Sequence, residues 1–133
     1  LQSYLDFDLV TNQIEASVLK YDNFENETIK FLQEKRINPM IWSPLAGGEI
    51  FTSQSESAIR VRNVLTEIAR KHNTENISEI AYAWLLAHPA KLIPIVGSGK
   101  INRISEAVNA LNIKLTRADW FAILDALVGH EVA

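Results

Sequence analysis

The segment "KLIPIVG", residues 91–97, is a continuous apolar run between two segments of helical periodicity. Such a run is typical of a strand in a parallel sheet that is covered on both faces. Two other short apolar segments, "FDLVTNQIE" (7–15) and "PMIWSPL" (39–45), are also predicted strands. Helical patterns separate all three, and strands that alternate with helices need right-handed crossovers. The sequence therefore predicts an α/β fold with three parallel strands.

The remaining segments carry apolar residues at helical spacing. Helices are predicted over residues 26–36, 56–72 and 76–89, from about 101 to 111, and after 116. The third of these is apolar on nearly all sides, with Ser78 as its expected N-cap. Thr116 and Asp119 form a capping box ahead of the last helix. No repeat or long linker divides the chain, so we expect a single domain unit.

Composition excludes several classes of protein. A net charge of −3 argues against a general binder of nucleic acid or anionic membranes, because no basic excess neutralises phosphates. The absence of cysteine excludes disulfides and thiolate chemistry and indicates a cytoplasmic protein. Apolar runs fall far short of the roughly 20 residues that a membrane span needs. The chain begins with Leu1, and Met40 is its only methionine, so we expect the later part of a longer protein.

Ligands of parallel α/β sheets bind at the carboxyl ends of the strands. Gln13 lies at the end of the first predicted strand and offers both a donor and an acceptor, although neighbouring backbone groups could satisfy it. Trp42 ends the second strand and could cover a flat heteroaromatic ring or belong to the core. The turn after it, residues 44–48, has little side-chain bulk and lets backbone N–H groups approach a ligand.

The stretch "GSGKINR", residues 97–103, carries the strongest signal. Gly97 and Gly99 allow close backbone approach, and the following helix directs its unsatisfied N–H groups at the turn. Lys100 and Arg103 add positive charge, and a guanidinium can bind a phosphate through two hydrogen bonds. The pattern predicts a phosphate site; the alternative is a tight turn with two solvated cations. In (β/α)8 barrels such a site commonly follows strands seven and eight.

At these residues the chain resembles the C-terminal part of an aldo/keto reductase. "TNQIE" is similar to the sixth strand of that family, "PMIWSPL" to the seventh, and "IPIVGSGKINRI" to the eighth with its phosphate loop. The likeness runs from about residue 8 to the end and is greatest to a bacterial branch. It implies that residues 1–133 form part of a (β/α)8 TIM barrel, roughly strands six to eight. It also implies NADPH-dependent reduction of aldehydes or ketones.

The resemblance also implies a set of cofactor-binding positions. They are Gln13, Trp42, Ser43, Pro44, Leu45, Gly47, Gly97, Ser98, Gly99, Lys100, Arg103 and Glu106. Gln13 would hold the nicotinamide carboxamide, Trp42 would stack on the nicotinamide ring, and residues 43–48 would line the pyrophosphate. Ser98, Lys100 and Arg103 would hold the adenosine 2′-phosphate, with Glu106 near the adenine. Ala46 and Ala107 stand where relatives often have glycine and asparagine, respectively.

The catalytic aspartate, tyrosine, lysine and histidine of this family all lie in its first half. We therefore assign no catalytic residue and no metal ligand in this chain, and expect it to be inactive alone. The histidines and tyrosines present lack the lysine–aspartate setting of a proton donor. NADPH, a carbonyl substrate and the missing N-terminal half are the implied partners.

Two other functions remain open. Residues 65–85 have the two-helix pattern of a DNA-binding helix-turn-helix, although the second helix is poor in basic and amide groups. The second open function is that of a half-barrel without catalytic activity, which acts as a binding or assembly module. Three parallel strands cannot close a barrel, so a second copy of the chain could cover the open sheet. The residues expected to form that contact are Val10, Ile14, Met40, Ile93 and Ile95.

Overall fold

The computed structural model describes residues 2–132; Leu1 and Ala133, which end the predicted domain, lie outside the described residues. Three short strands form one sheet in the order β1–β2–β3, and both pairings are parallel. The strands are β1 (Gln13–Glu15), β2 (Met40–Trp42) and β3 (Ile93–Pro94). The predicted α/β class and parallel sheet are confirmed.

Seven α-helices alternate with these strands in the described part of the chain. They are α1 (Asp22–Glu25), α2 (Thr28–Glu34), α3 (Glu49–Thr52), α4 (Glu56–Lys71), α5 (Ile77–Leu86), α6 (Ile101–Asn109) and α7 (Arg117–Val128). The capping box is confirmed: Thr116 Oγ1 accepts from the Asp119 N–H at 3.1 Å, and the Asp119 carboxylate accepts from the Thr116 N–H. Lys71, 2.8 Å away, and Thr116 hold the pKa of Asp119 below its ordinary value.

Three local predictions are wrong. Residues 7–12 are not strand, because β1 has only β2 as a neighbour and pairs with it over Gln13–Glu15 alone. The predicted helix over 26–36 is wrong in its bounds: it is present as α2 over Thr28–Glu34, since Glu27 before it lies in the left-handed region at φ 63°, and α1 was not predicted. Ser78 is not an N-cap, since α5 begins one residue earlier and the cap position belongs to Asn76.

One face of the sheet packs on the helices and the other is uncovered within residues 2–132. Ile14 and Ile41 lie opposite each other in the register and are buried against the helices. On the other face Trp42 and Ile93 are 44% and 46% exposed. The prediction that Ile14 faces outward with Met40 and Ile93 is therefore wrong, because alternation along β1 turns it inward. The open face agrees with the expectation that three parallel strands leave the sheet unclosed.

Two stacked tryptophans join α5 to α7. The rings of Trp84 and Trp120 lie with centroids 4.9 Å apart and planes 11° from parallel. Each indole N–H donates to the backbone carbonyl of the other residue, at 3.1 Å from Trp84 and 3.0 Å from Trp120. Trp84 is fully buried, so the reciprocal bonds satisfy its only polar group in the core.

The burial of α5 rejects the helix-turn-helix hypothesis. Every residue from Ser78 to Leu85 is buried, so this length of the helix offers no surface to DNA. Among residues 2–132 no helix is both long and apolar enough to span a bilayer.

Candidate functional site

A cleft of about 410 Å³ lies where the chain leaves β2 and β3 at their carboxyl ends. Side chains and backbone from both turns, from α3 and from the facing sides of α5 and α6 line it. The lining residues are Trp42, Ser43, Pro44, Leu45, Gly47, Gly48, Phe51, Tyr82, Ile95, Gly97, Ser98, Arg103 and Glu106. A concave apolar site with a few polar groups is the usual form of a small-molecule or cofactor site.

Most of the residues expected to bind a cofactor line this one cleft. They are Trp42, Ser43, Pro44, Leu45, Gly47, Gly97, Ser98, Arg103 and Glu106. Three expected residues, Gln13, Gly99 and Lys100, lie outside the lining. Gln13 begins β1 rather than ending the strand as predicted; it pairs with Met40 in the register and shares the sheet face of Trp42, outside the cleft lining. Lys100 is exposed at the N-cap of α6.

The turn after β2 is built from left-handed backbone. Ser43 and Ala46 each have φ 51°, and Gly47 and Gly48 have φ 62° and 99°. Glycine adopts this region without penalty, whereas a residue with a Cβ is strained there. The strain at Ala46 explains why glycine suits this position. Two backbone hydrogen bonds close the turn, from Ala46 N to Ser43 O at 2.8 Å and from Gly48 N to Leu45 O at 2.9 Å.

The turn after β3 is open where its glycines face solvent. Neither Gly97 nor Gly99 has a φ in the left-handed region, and a Cβ added to either would meet no atom within 4 Å. Neither the backbone conformation nor crowding by the described residues therefore requires glycine at positions 97 and 99. The alternative that these glycines serve only a tight turn has no steric basis here, and a ligand has room to approach the backbone.

Positive charge and a helix terminus meet at this turn. The Ser98 hydroxyl accepts from the Lys100 N–H at 3.2 Å, and α6 begins one residue later. No side chain caps the first turn of α6, so its N–H groups remain available for an anion. In the part of the chain that the structure describes, neither Lys100 nor Arg103 pairs with a carboxylate. The arrangement fits a phosphate group.

Polar groups of α5 and α6 close the opposite side of the cleft. The Ser78 hydroxyl, on a residue only 2% exposed, donates to Glu106 Oε2 at 2.6 Å. Tyr82 lies one turn further along α5 and lines the cleft. Burial, and then the nearby Glu106 carboxylate, raises the pKa of Tyr82, so its hydroxyl stays protonated at neutral pH.

Sequence reasoning missed Phe51, Tyr82 and Ile95, whereas Gly48 belongs to the predicted turn 43–48. Ile95 adjoins predicted site residues, and alternation along the predicted strand 91–97 could have assigned it to the face of Ile93. Tyr82 is a phenol within an otherwise apolar helical run, which is a signal that could have been used. Phe51 follows a turn and carries no such signal. The described residues contain no group of three or more side chains arranged to hold a metal ion.

A solved structure shares this architecture. It is described as the crystal structure of a thermostable aldo-keto reductase, Tm1743, in complex with the inhibitor epalrestat. The two match with a TM-score of 0.81 and 26% sequence identity over 93% of this chain and 42% of the other. The three parallel strands and their helices thus form part of a (β/α)8 barrel.

Sequence comparisons agree with the structural match. The chain is 48% identical to "Uncharacterized oxidoreductase YcsN" of Bacillus subtilis over 99% of its length, and 41% identical to a "6-dehydroglucose reductase" of Agrobacterium fabrum over 100%. It spans 44% and 43% of those two proteins, less than half of each. The sequence profile of the Aldo/keto reductase family matches residues 2–128. The chain therefore belongs to the aldo/keto reductase family.

Proposed function

We propose that the cleft binds NADPH in an enzyme that reduces aldehydes or ketones, and that this chain supplies the cofactor-binding part. The observation that carries the proposal is the open turn at Gly97 and Gly99, next to the uncapped first turn of α6, where Arg103 pairs with no carboxylate of the described residues. When bound, NADPH supplies a hydride for a carbonyl carbon. The names of the relatives, an oxidoreductase and a 6-dehydroglucose reductase, support a carbonyl substrate.

The chain's own residues would divide the work of binding. Ser98, Lys100 and Arg103 would hold the 2′-phosphate, and the backbone of residues 43–48 would line the pyrophosphate. Trp42, half exposed at the end of β2, would stack on the nicotinamide ring. Gln13, on the same sheet face, would bind the carboxamide. We assign the chain to roughly strands six to eight of the barrel and expect a cytoplasmic protein.

We assign no proton donor within the chain. Among its histidines, His88 accepts a hydrogen bond from the Ala90 N–H through Nδ1 at 3.1 Å and packs edge-on against Phe24, with centroids 5.0 Å apart. Burial lowers its pKa, which suits a neutral structural residue. Tyr4 is 88% exposed and distant in sequence from the cleft turns. The catalytic tetrad would therefore come from a part of the whole protein that precedes these strands.

The substitution Gly97→Ala tests the site with least disturbance of the fold. The added methyl meets no protein atom, so we expect thermal stability to stay within about 0.5 kcal/mol of the wild type. It occupies the space through which a phosphate would approach, so we expect NADP⁺ affinity to fall about tenfold or more. Calorimetric titration and thermal melting measure the two effects.

Gly129→Ala is the matched control for Gly97→Ala. Gly129 has φ +85°, and a Cβ there would lie 3.1 Å from the Arg60 guanidinium, remote from the cleft. This variant should lose stability and keep its affinity for NADP⁺. Unchanged NADP⁺ affinity in Gly97→Ala would count against a ligand at this turn.

Trp42→Ala should lower cofactor affinity and, in a protein that also contains the upstream half, turnover. The reason is that the half-exposed indole offers its face to a ring while contributing little to the core. Binding titrations, steady-state kinetics and urea unfolding measure the three quantities. Intact binding together with a stability loss of several kcal/mol would assign Trp42 to the core instead.

The uncovered sheet face favours a second candidate, a half-barrel that assembles. On this face Trp42 and Ile93 are 44% and 46% exposed, Val10 in the segment before β1 is 90% exposed, and both edges of the sheet are open within residues 2–132. We expect this chain alone to associate with itself in solution and to show no turnover of carbonyl substrates with NADPH. Sedimentation velocity that gives a stable, cooperatively unfolding monomer would contradict the assembly, and measurable turnover would contradict the missing tetrad.

A further inference from the structure

Tyr82 carries a polar group that the fold itself does not use. The residue is 4% exposed, and no described residue donates to its hydroxyl or accepts from it. Every fully buried side-chain oxygen and nitrogen among residues 2–132 does have a partner. The Tyr82 hydroxyl is therefore not fully buried, and the small exposed part of this side chain includes it. Tyr82 also lines the cleft. The hydroxyl is therefore open to the cleft and available for a hydrogen bond to a ligand there.

Glu106 stands beside this phenol with one carboxylate oxygen committed. Its Oε2 accepts from the buried Ser78 hydroxyl at 2.6 Å, which fixes the carboxylate, and Oε1 has no partner among the described residues. A second link holds the two helices together: Asn109 of α6 donates to Glu79 of α5 at 3.0 Å. The pair Tyr82 and Glu106 is therefore presented on a rigid frame, as specific recognition requires.

A protonated phenol next to a carboxylate offers one donor and one acceptor. A matching ligand has a ring nitrogen that accepts and an amine that donates, which is the edge of an aminopurine. Leu45 packs against the Tyr82 cluster and also lines the cleft, so it supplies an apolar wall for such a ring.

We propose that Tyr82 is a specificity-determining residue that donates its hydroxyl to a ring nitrogen of the adenine. Glu106, which the family resemblance already implies to lie near the adenine, accepts from the exocyclic amine, and Ser78 is the positioning residue that orients Glu106. This proposal rests on the proposed function, because it assigns Tyr82 and Ser78 to the base of the nucleotide bound at the same cleft.

The test is the affinity of Tyr82→Phe for adenosine 2′,5′-bisphosphate, measured by calorimetric titration. Loss of one hydrogen bond should weaken binding about three- to tenfold. Affinity for the base-free analogue ribose 2,5-bisphosphate should stay unchanged. The thermal midpoint should also stay unchanged, because the hydroxyl has no protein partner to lose. Ser78→Ala should produce a loss with the same dependence on the base, by releasing Glu106.

Tyr21→Phe is the matched control, since Tyr21 is a half-buried phenol that stacks on Phe24 away from the cleft. The affinity of this variant for adenosine 2′,5′-bisphosphate should equal that of the wild type. Wild-type affinity for adenosine 2′,5′-bisphosphate in Tyr82→Phe, with a loss in Arg103→Ala, would overturn this proposal and leave the proposed function standing. Wild-type affinity in both variants, or no binding by the wild-type chain, would overturn both. Equal losses for the two probes in Tyr82→Phe would also overturn the role in base recognition.

Discussion

Replacing Trp84 with alanine is expected to lower the free energy of unfolding by about 3–5 kcal/mol, the range for a large aromatic side chain removed from a core. Trp84 is fully buried and stacks on Trp120 with centroids 4.9 Å apart. Its loss leaves a cavity between α5 and α7. It also removes the indole N–H that donates to the Trp120 carbonyl and so links α5 to α7.

Urea unfolding followed by circular dichroism measures this effect. Trp42→Ala serves as the control within the same chain, because that indole is 44% exposed and should cost less than about 1.5 kcal/mol. Equal losses for the two variants would contradict the assignment of Trp84 to the core and Trp42 to the cleft.

Replacing Arg103 with alanine is expected to weaken NADPH binding by about 1.5–3 kcal/mol, or about 10- to 150-fold. Arg103 lines the cleft and has no carboxylate partner among the described residues, so its guanidinium is available for a phosphate. NADH lacks the 2′-phosphate, so its affinity should barely change. Fluorescence titration with the two reduced cofactors measures the difference.

Arg70→Ala is the control for charge alone, since Arg70 is an exposed residue in the last turn of α4. It should leave both affinities unchanged. Equal losses for NADPH and NADH in Arg103→Ala would contradict the assignment of Arg103 to the 2′-phosphate.

Local patterns predicted the helices well and the strand lengths poorly. Two short-range signals gave the correct starts of their helices. They are the capping box of Thr116 and Asp119 before α7 and the amphipathic repeat of α4. Strand length depends on which neighbours pair, and β1 has a partner only over three residues. The N-cap at Ser78 failed because its hydroxyl bonds to Glu106 in another helix. That partner is 28 residues away, beyond any local pattern.

The cleft residues that lie in a single turn were predictable from sequence, whereas those contributed by a separate helix were less predictable. The turns after β2 and β3 were identified from glycine, hydroxyl and cation patterns, and both line the cleft. Tyr82 reaches the same cleft from α5, which had been predicted only as a buried helix. Trp42 could not be assigned from sequence, because its environment depends on what covers the open sheet face.

The most direct test of the central claim is calorimetric titration of the 133-residue chain with NADP⁺ and with NAD⁺ under identical conditions. The account predicts one NADP⁺ per chain and a preference for NADP⁺ over NAD⁺ of at least about tenfold, the contribution of one charge-assisted phosphate contact. Equal affinity for the two nucleotides, or no binding of either by a chain that circular dichroism shows to be folded, would contradict it.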